Sequence, residues 1–437
     1  MSLRPLVLDV SRLLWRAIRK APGGIDRLEL AMAQHLLQEE PTARFVFTDG
    51  GRLRMVRPAA VRRLIQSAAT RWEGGTDDAG CRRVAAYLGG DDQAFPLARV
   101  RLTDRHVPLV DLARSSAAGV LYHRGAFERD AAQALNGAAY MNLSHRNLGS
   151  PGLLASLSRF SQALCYLHDD IPLREPGFAA SQSSASFRQF MQRLPLHALR
   201  IVTNSETSRD RLMESAAGFG QRMSPIEVVA PPVAPLFSDP SAPPACNRNF
   251  FLMPGLITAR KNIRLILQAC CQMDRVGLGF DVVLAGAPGL DAPSILTELD
   301  QAPAGVRFLR AEGLSDHAMA LLSRGARAVL APSVDEGFDY PVHEALAGSV
   351  PVLASDIPAH REYVEGFAEL LDPRDATHWA LALQDFAQAD SPRRLAALEA
   401  ARRFSPPAPQ SLMRRLLELA REPGFADARH IMPASPR

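Results

Sequence analysis

Lysine is nearly absent from this 437-residue chain, occurring only at Lys20 and Lys261, so that 48 of the 50 basic residues are arginine. The arginines are scattered among 46 carboxylates, the formal net charge is only +4, and no dense basic tract occurs. Nucleic acid is therefore not an expected partner, and a lysine, where one stands, is informative. Cysteine is scarce and unpatterned. Cys81, Cys165, Cys246, Cys270 and Cys271 are odd in number and show no CxxC spacing, which excludes a disulfide framework and fits a reducing cytoplasm. Cys270 and Cys271 lie in a helix-like apolar run and read as buried thiols, not as a redox pair. No uncharged run reaches the ~20 residues that cross a bilayer. The start, MSLRPLVLDVSRLLWR, lacks the apolar core and small-residue cleavage site of a signal peptide. The expectation is a soluble cytoplasmic protein, at most peripheral at the inner face of the cell membrane. GxxxxGK[ST], HExxH and GxSxG are missing, as is any His/Cys cluster at metal-ligand spacing. Neither Asp91-Asp92 nor Asp169-Asp170 makes a metal-binding DxD, so no metal or other cofactor is expected.

What is present is a globular composition, 47% apolar and 22% charged, with length for two or three domains. Short apolar runs read as strands at Leu6 to Val10, Phe45 to Thr48, Tyr140 to Leu143, Leu164 to Leu167, Ile201 to Thr203 and Ile226 to Val229. Ile25 to Leu37 has helical spacing, whereas Gly51 to Gln133 is Ala- and Arg-rich with weak periodicity. The polar, Pro-rich segment 238–248 is the best linker. A second cycle follows it: strands at 250–253, 280–285, 306–309, 327–331 and 351–354, alternating with helices at 262–273, 291–300, 315–324 and 340–347. Alternation at this pace implies parallel βαβ units, hence an α/β protein of two doubly wound domains. Expected boundaries are 1–237, linker 238–248, 249–405 and a tail 406–437 that carries an amphipathic helix at 410–422.

Ligands of such sheets gather beyond the carboxyl ends of the strands. The stretch APSVDEGFDYPVHEALAGSVPVLASD, from Ala331, is strand, loop, helix and strand, with Pro341 where a first helical turn accepts it. Gly337 permits close backbone approach, the helix-start amides can face a phosphate, and Glu344 about one turn inside can accept hydrogen bonds from vicinal hydroxyls. An ordinary crossover with an acidic helix start would read similarly. In PGLITARKN, Arg260 and Lys261 stand on a strand-to-helix loop, where two cations suit a diphosphate leaving group; a solvated basic pair is the plainer alternative.

EGFDYPVHEALAGSVPVLASD, followed by IPAHREYVEGFAELLDPRD, resembles the signature of the GT-B glycosyltransferases, specifically the large retaining family 4 grouping. The usual form is E-G-F-G-x-P-x-x-E-A-x-A-x-G-x-P-V-x-x-S, from which this chain departs at Asp339 and Ser349, where Gly is usual. The resemblance implies two Rossmann-like domains facing across a cleft, with the nucleotide-sugar donor on the C-terminal domain and the acceptor on the N-terminal one. It implies that Glu336 contacts donor-sugar hydroxyls, that the Gly337–Phe338 backbone approaches the diphosphate, and that Glu344 holds the ribose. PGLITARKN is similar to the family's G-x-x-x-x-R-K-N segment, with Thr258-Ala259 in place of the common Glu-Pro.

Further segments resemble the same family. GGIDR, with Gly23, Gly24 and Arg27, is similar to the T-G-I-D-R segment of one branch; its glycines would let the backbone pack close to a ligand, and Arg27 would reach phosphate or acceptor. YLHDDIP resembles H-D-x-I-P, which puts His168 and Asp169 at the transferred sugar or acceptor, with Asp170 replacing an apolar residue. His145, also after a strand, is a further acceptor candidate, and Ser205 reads as a helix N-cap. The implied activity is a metal-independent retaining hexosyltransferase, first of all from GDP-mannose. Its acceptor would be a hydroxyl of a glycan or lipid-linked oligosaccharide in surface-polysaccharide assembly. Alternatives are a sugar-nucleotide epimerase or hydrolase of related fold, and a non-catalytic sugar-nucleotide-binding scaffold. A lipid-linked acceptor would make Arg12, Arg16, Arg19 and Lys20, with Leu13, Leu14 and Trp15, a basic amphipathic membrane contact.

Overall fold

The computed structural model describes residues 4–19, 21–49, 52–101, 126–127, 135–157, 159–178, 181–193, 199–239, 244–273, 279–289 and 291–422. The chain divides into two compact units. Unit 1 comprises Met1–Ala69, Leu109–Pro231 and Ala408–Arg437; unit 2 comprises Thr70–Pro108 and Pro232–Pro407.

Unit 1 holds β1 (Leu6–Asp9), β2 (Arg44–Asp49), β3 (Arg52–Val56), β4 (Ala126–Phe127), β5 (Ala139–Asn142), β6 (Gln162–Leu167), β7 (Arg200–Thr203) and β8 (Glu227–Val228). They form one sheet in the order β4-β3-β2-β1-β5-β6-β7-β8. The runs LVLD and QALCYL are buried at every residue, as strands covered on both faces require. The sheet is not wholly parallel as expected: β2 pairs antiparallel with β3, and β3 with β4. Two residues separate β2 from β3, too few for the crossover that a parallel pair needs.

Unit 2 holds β9 (Phe250–Pro254), β10 (Phe280–Ala285), β11 (Val306–Arg310), β12 (Val329–Ala331), β13 (Val352–Ser355) and β14 (Glu369–Leu371). Their order is β11-β10-β9-β12-β13-β14, with every pairing parallel. Successive residues point to opposite faces: Phe251 joins Ile266, Leu296 and Trp379 in one core, and Phe250 joins Leu322, Val342 and Val352 in the other.

The two sheets share one topological feature. β1 lies between β2 and β5, and β9 between β10 and β12, so the chain builds outward on one side of its first strand and then on the other. The loops leaving β1 and β5 diverge, as do those leaving β9 and β12. Each gap is a switch point, the place where an open α/β sheet presents a crevice to ligands.

The unit boundaries differ from those expected. Residues 70–108 belong to unit 2 because helix Ala79–Gly89 packs on helix Asp316–Gly325. Tyr87 donates to buried Asp281 at 2.7 Å, and Leu97 bridges Leu309. Pro232–Asp239, placed in the first domain and linker, also belongs to unit 2, where Phe237 is buried with Val233 and Ala320; residues 240–243 of the linker lie outside the described residues. Helix Pro409–Arg421 of the tail joins unit 1, where Leu419 O accepts from Gln162 Nε2 at 2.6 Å and Arg421 pairs with Glu40 at 2.6 Å. Helix Ile263–Gln272 buries Cys270 but leaves Cys271 exposed, correcting the reading of both as buried thiols.

Candidate active site

At the unit 2 switch point the loop leaving β9 meets the loop leaving β12. Gly255 turns the first loop with φ +114°, and a Cβ there would stand 3.1 Å from Lys261 Cε. A Cβ on Gly286, after β10, would fall 1.7 Å from Gly255 O, so only glycine allows these loops to nest. A 3-10 turn, Ala259–Lys261, then presents the two cations. Asn262, left-handed at φ 53°, redirects the chain into helix Ile263–Gln272. Val334 N donates to Arg260 O at 3.0 Å and ties the two loops together. A small pocket beside Lys261 is lined by Gly255, Leu256, Leu330 and Pro332.

The expected residues Arg260, Lys261 and Glu336 come together here. Glu336 Oε1 accepts from Ser333 Oγ at 2.9 Å, lies 2.8 Å from Lys261 Nζ, and pairs with Arg260. Arg260 Nη1 also donates to Asp335 O at 2.9 Å. Sequence reasoning missed the other partner of Lys261: Asp339, 2.9 Å from Nζ through Oδ1 and 3.2 Å from His360 Nε2 through Oδ2. His360 Nδ1 lies 2.7 Å from Ser355 O; a carbonyl only accepts, so this nitrogen carries hydrogen. The departure from glycine at Asp339 was the available signal. Burial works against the Lys261 charge, but Asp339 and Glu336 outweigh it and hold its pKa above the ordinary lysine value. Burial likewise works against the Asp339 carboxylate, and Lys261 and His360 keep its pKa well below the usual range.

Helix Tyr340–Ala347 begins directly after, with Pro341 in its first turn. Glu344 is buried within it, and Gly337 precedes Phe338 on the loop. The Phe338 ring is a core group, stacked on His343 with centroids 3.8 Å apart. Burial pulls the His343 pKa down to about 4. The arrangement can exchange carboxylate oxygens on Arg260 and Lys261 for the oxygens of an incoming anion. Among the described residues no group of three or more His, Cys, Asp or Glu is placed to hold a metal ion.

The remaining candidates lie in unit 1. Gly23 caps helix Gly24–Glu39, and its amide donates to Asp26 Oδ2 at 2.7 Å. Asp26 also grips Arg12 at 2.6 Å and Arg16 at 3.0 Å. Burial works against this carboxylate, but the two guanidiniums outweigh it and lower its pKa. Arg27, half-buried, follows on the same helix. His168, just after β6, is buried with Nε2 2.8 Å from Leu143 O, so Nε2 carries the hydrogen and Nδ1 is left as an acceptor. Burial lowers its pKa to about 4, keeping it neutral. His145, left-handed at φ 45°, sets its ring edge-on to His168 at 5.6 Å. Asp169 Oδ1 accepts from Ile171 N at 3.1 Å, whereas Asp170 is buried against Arg174 at 2.9 Å and Ser215 at 2.6 Å. Ser205 caps helix Glu206–Gly218 as expected, accepting from Ser208 N at 3.0 Å.

Four residues of the expected basic amphipathic membrane face are engaged within unit 1. Leu13 and Leu14 are buried in the core, and Arg12 and Arg16 are committed to Asp26; Lys20 lies outside the described residues. Among the described residues no helix is long and apolar enough to cross a membrane.

Comparison with known proteins bears on the family and the fold. Residues 248–389 match the family described as glycosyl transferases group 1. The O-antigen chain mannosyltransferase RfbU of Salmonella typhimurium is 36% identical over 75 residues, 17% of this chain and 21% of its own. O-antigen chain mannosyltransferase B of Escherichia coli is 29% identical over 163 residues, 36% of this chain and 42% of its own. The chain thus spans less than half the length of these curated relatives. Among solved structures, Anabaena HepE in complex with UDP and glucose superposes with a TM-score of 0.57 at 15% identity, covering 95% of this chain and 98% of that one. Residues 248–389 therefore resemble the glycosyl transferases group 1 family, and the chain that carries them has the GT-B fold.

Proposed function

We propose that this chain is a retaining glycosyltransferase that moves a hexose, first of all mannose from GDP-mannose, to a hydroxyl of a glycan or lipid-linked acceptor in surface-polysaccharide assembly. The observation that carries the reading is the convergence of Arg260, Lys261 and Glu336 at the unit 2 switch point. The names of the two mannosyltransferase relatives support the choice of sugar, and the UDP and glucose held by the structural relative support a nucleotide-sugar donor.

In this reading Arg260 and Lys261 take the donor diphosphate and neutralise the charge that grows on it as its bond to the sugar C1 breaks, without a metal. Glu336 binds sugar hydroxyls and Glu344 the ribose. The acceptor oxygen bonds to C1 on the face the diphosphate leaves, and the acceptor proton passes to a departing phosphate oxygen. No separate protein base is then required. Acceptor contacts fall to unit 1, where His168 Nδ1 can accept from a hydroxyl and Asp169, His145 and Arg27 stand nearby in sequence or space.

The test is incubation of the full chain with labelled nucleotide-sugars, GDP-mannose first, with and without a mannosylated lipid-linked acceptor. Acceptor-dependent transfer is expected, with Lys261→Ala slower by about 100-fold or more, the scale of a lost oxyanion donor. Donor turnover without acceptor, or full activity in Lys261→Ala, would reject the reading.

A further inference from the structure

We propose that Asp291 is a positioning residue for the donor site: its carboxylate, beyond the carboxyl end of β10, holds the Ala259 amide and so sets the turn that carries Arg260 and Lys261. That this turn faces a diphosphate rests on the transferase reading above; the hold of Asp291 on the turn does not.

The turn needs a partner from outside. Ala259–Lys261 is a single 3-10 turn, closed by Lys261 N to Thr258 O at 3.1 Å and Asn262 N to Ala259 O at 2.9 Å. The Ala259 amide precedes both bonds, so the turn itself offers it no acceptor. The resembling sequences have proline at this position, which carries no N–H. This chain has an N–H there, and Asp291 Oδ2 accepts from it at 2.5 Å. A bond to a carboxylate is about twice as strong as one between neutral groups. One residue on, Arg260 O accepts from Val334 N at 3.0 Å. The loop after β10 thus fixes the amide that opens the turn, and the loop after β12 fixes the next carbonyl.

The position of Asp291 makes this bond a choice. Asp291 stands at the N-cap of helix Ala292–Glu298, where aspartate ordinarily accepts from its own helix, yet its side chain makes no capping bond there. It reaches 32 residues back to Ala259 instead. Arg264, on the helix that follows the turn, is gripped by Glu298 at 2.6 and 2.8 Å. The segment that carries Asp291 is itself laid along the cation loop. Ile257 N donates to Ala287 O at 3.0 Å and Gly289 N to Ile257 O at 2.9 Å, and a Cβ on Gly289 would fall 2.3 Å from Thr258 Cγ2.

A carboxylate beside two cations could act through its charge or through its hydrogen bond, and the two roles have opposite signs. As a charge it would oppose an arriving diphosphate, and its removal would tighten binding. As a brace its removal frees the turn and weakens binding. Glu336 and Asp339 already serve Arg260 and Lys261 as counter-ions, which leaves Asp291 the second role.

The experiment is a calorimetric GDP titration of the full chain and its variants, with amide hydrogen exchange at Ala259 read on the same samples. Asp291→Ala should raise the GDP dissociation constant about tenfold, the scale of one charge-assisted hydrogen bond. Asp291→Asn keeps an oxygen that accepts from the Ala259 amide and should stay within about threefold of the parent. Ala259→Pro replaces the N–H with a ring carbon and leaves the carboxylate no donor, so in that background Asp291→Ala should weaken binding no further. The proposal is overturned if Asp291→Ala binds GDP as well as the parent or better, if Asp291→Asn binds as poorly as Asp291→Ala, or if the loss is equal in the proline background. Should Asp291→Ala fail to fold, a double variant that folds and binds GDP is the same rescue, and one that fails with it is a rejection. If the parent binds no GDP, the donor-site reading falls and exchange decides. An Ala259 amide that exchanges about tenfold faster in Asp291→Ala, but not in Asp291→Asn, keeps the hold of Asp291 on the turn, whereas equal exchange in all three removes it.

Discussion

The Lys261 ammonium lies 2.9 Å from the carboxylate of Asp339, a residue held at φ 60° where the resembling sequences have glycine. Lys261 is therefore already neutralised, with Glu336 2.8 Å away on the same nitrogen. On the proposed reading, an arriving diphosphate must replace carboxylate oxygens and does not simply fill bare positive charge.

Asp339→Asn should therefore do two opposite things. Removing one member of a buried ion pair destabilises unit 2 by about 3 kcal/mol. A nucleoside diphosphate supplies substitute oxygens to Lys261, so GDP should raise the melting temperature of the variant by more than it raises that of the parent. Equal shifts in a thermal melt with and without GDP would mean that Asp339 and the diphosphate do not compete.

Gly286→Ala tests the nesting of the two loops. The new methyl would fall 1.7 Å from Gly255 O, and backbone cannot yield as a flexible side chain can. The loop from Gly255 to Lys261 must move, with a loss of several kcal/mol and of GDP binding together. Alanine at Gly279, where an added Cβ would meet nothing within 4 Å, is the control and should bind GDP normally.

The legible parts of the chain were those whose signal is local. β10 and helix Tyr340–Ala347 fall where periodicity and a tolerated Pro341 put them. Arg260, Lys261 and Glu336 each follow a strand of an open sheet, which made them candidates, but only the resemblance singled them out from a solvated basic pair and an ordinary acidic crossover. Residues 70–108 were not legible, because what binds them to unit 2 is distant in sequence: Tyr87 to Asp281, and Leu97 to Leu309. The Leu13-Leu14 pair misled for the same reason. Its basic neighbours look like a surface face until Asp26, ten to fourteen residues away, is seen to hold both arginines. Asp26 itself passed unremarked beside Arg27, since nothing local tells a buried carboxylate from an exposed one.

Ser349 stands at φ 55° just beyond helix Tyr340–Ala347, again where glycine is usual. A side chain in this left-handed conformation costs roughly 1 kcal/mol. Ser349→Gly should recover most of that and raise the melting temperature by a few degrees, whereas Ser349→Ala, which keeps the Cβ, should not. A melt of the glycine variant no higher than the parent's would show the strain to be relieved elsewhere.

Glu29 gives unit 1 a pH dependence whose sign is fixed. Burial raises its pKa to about 8 from an ordinary 4.5, against a smaller lowering by the Leu13 amide. The folded state therefore holds the proton more tightly than the unfolded chain. This stabilisation is complete below pH 4.5 and is lost as pH rises through 8. His168 acts in reverse, since burial depresses its pKa from 6.5 to about 4, and its contribution grows up to pH 6.5 and then stays constant. His145 is shifted the same way by burial, and burial raises Asp9. Above pH 6.5 the histidine contributions are flat, and the change attributable to Glu29 is a decline. Urea unfolding at pH 6.5, 7.3 and 8 should show stability falling in the parent and a shallower fall in Glu29→Gln, which has no proton to lose. Parallel slopes in the two proteins would mean that Glu29 is already ionised in the folded chain.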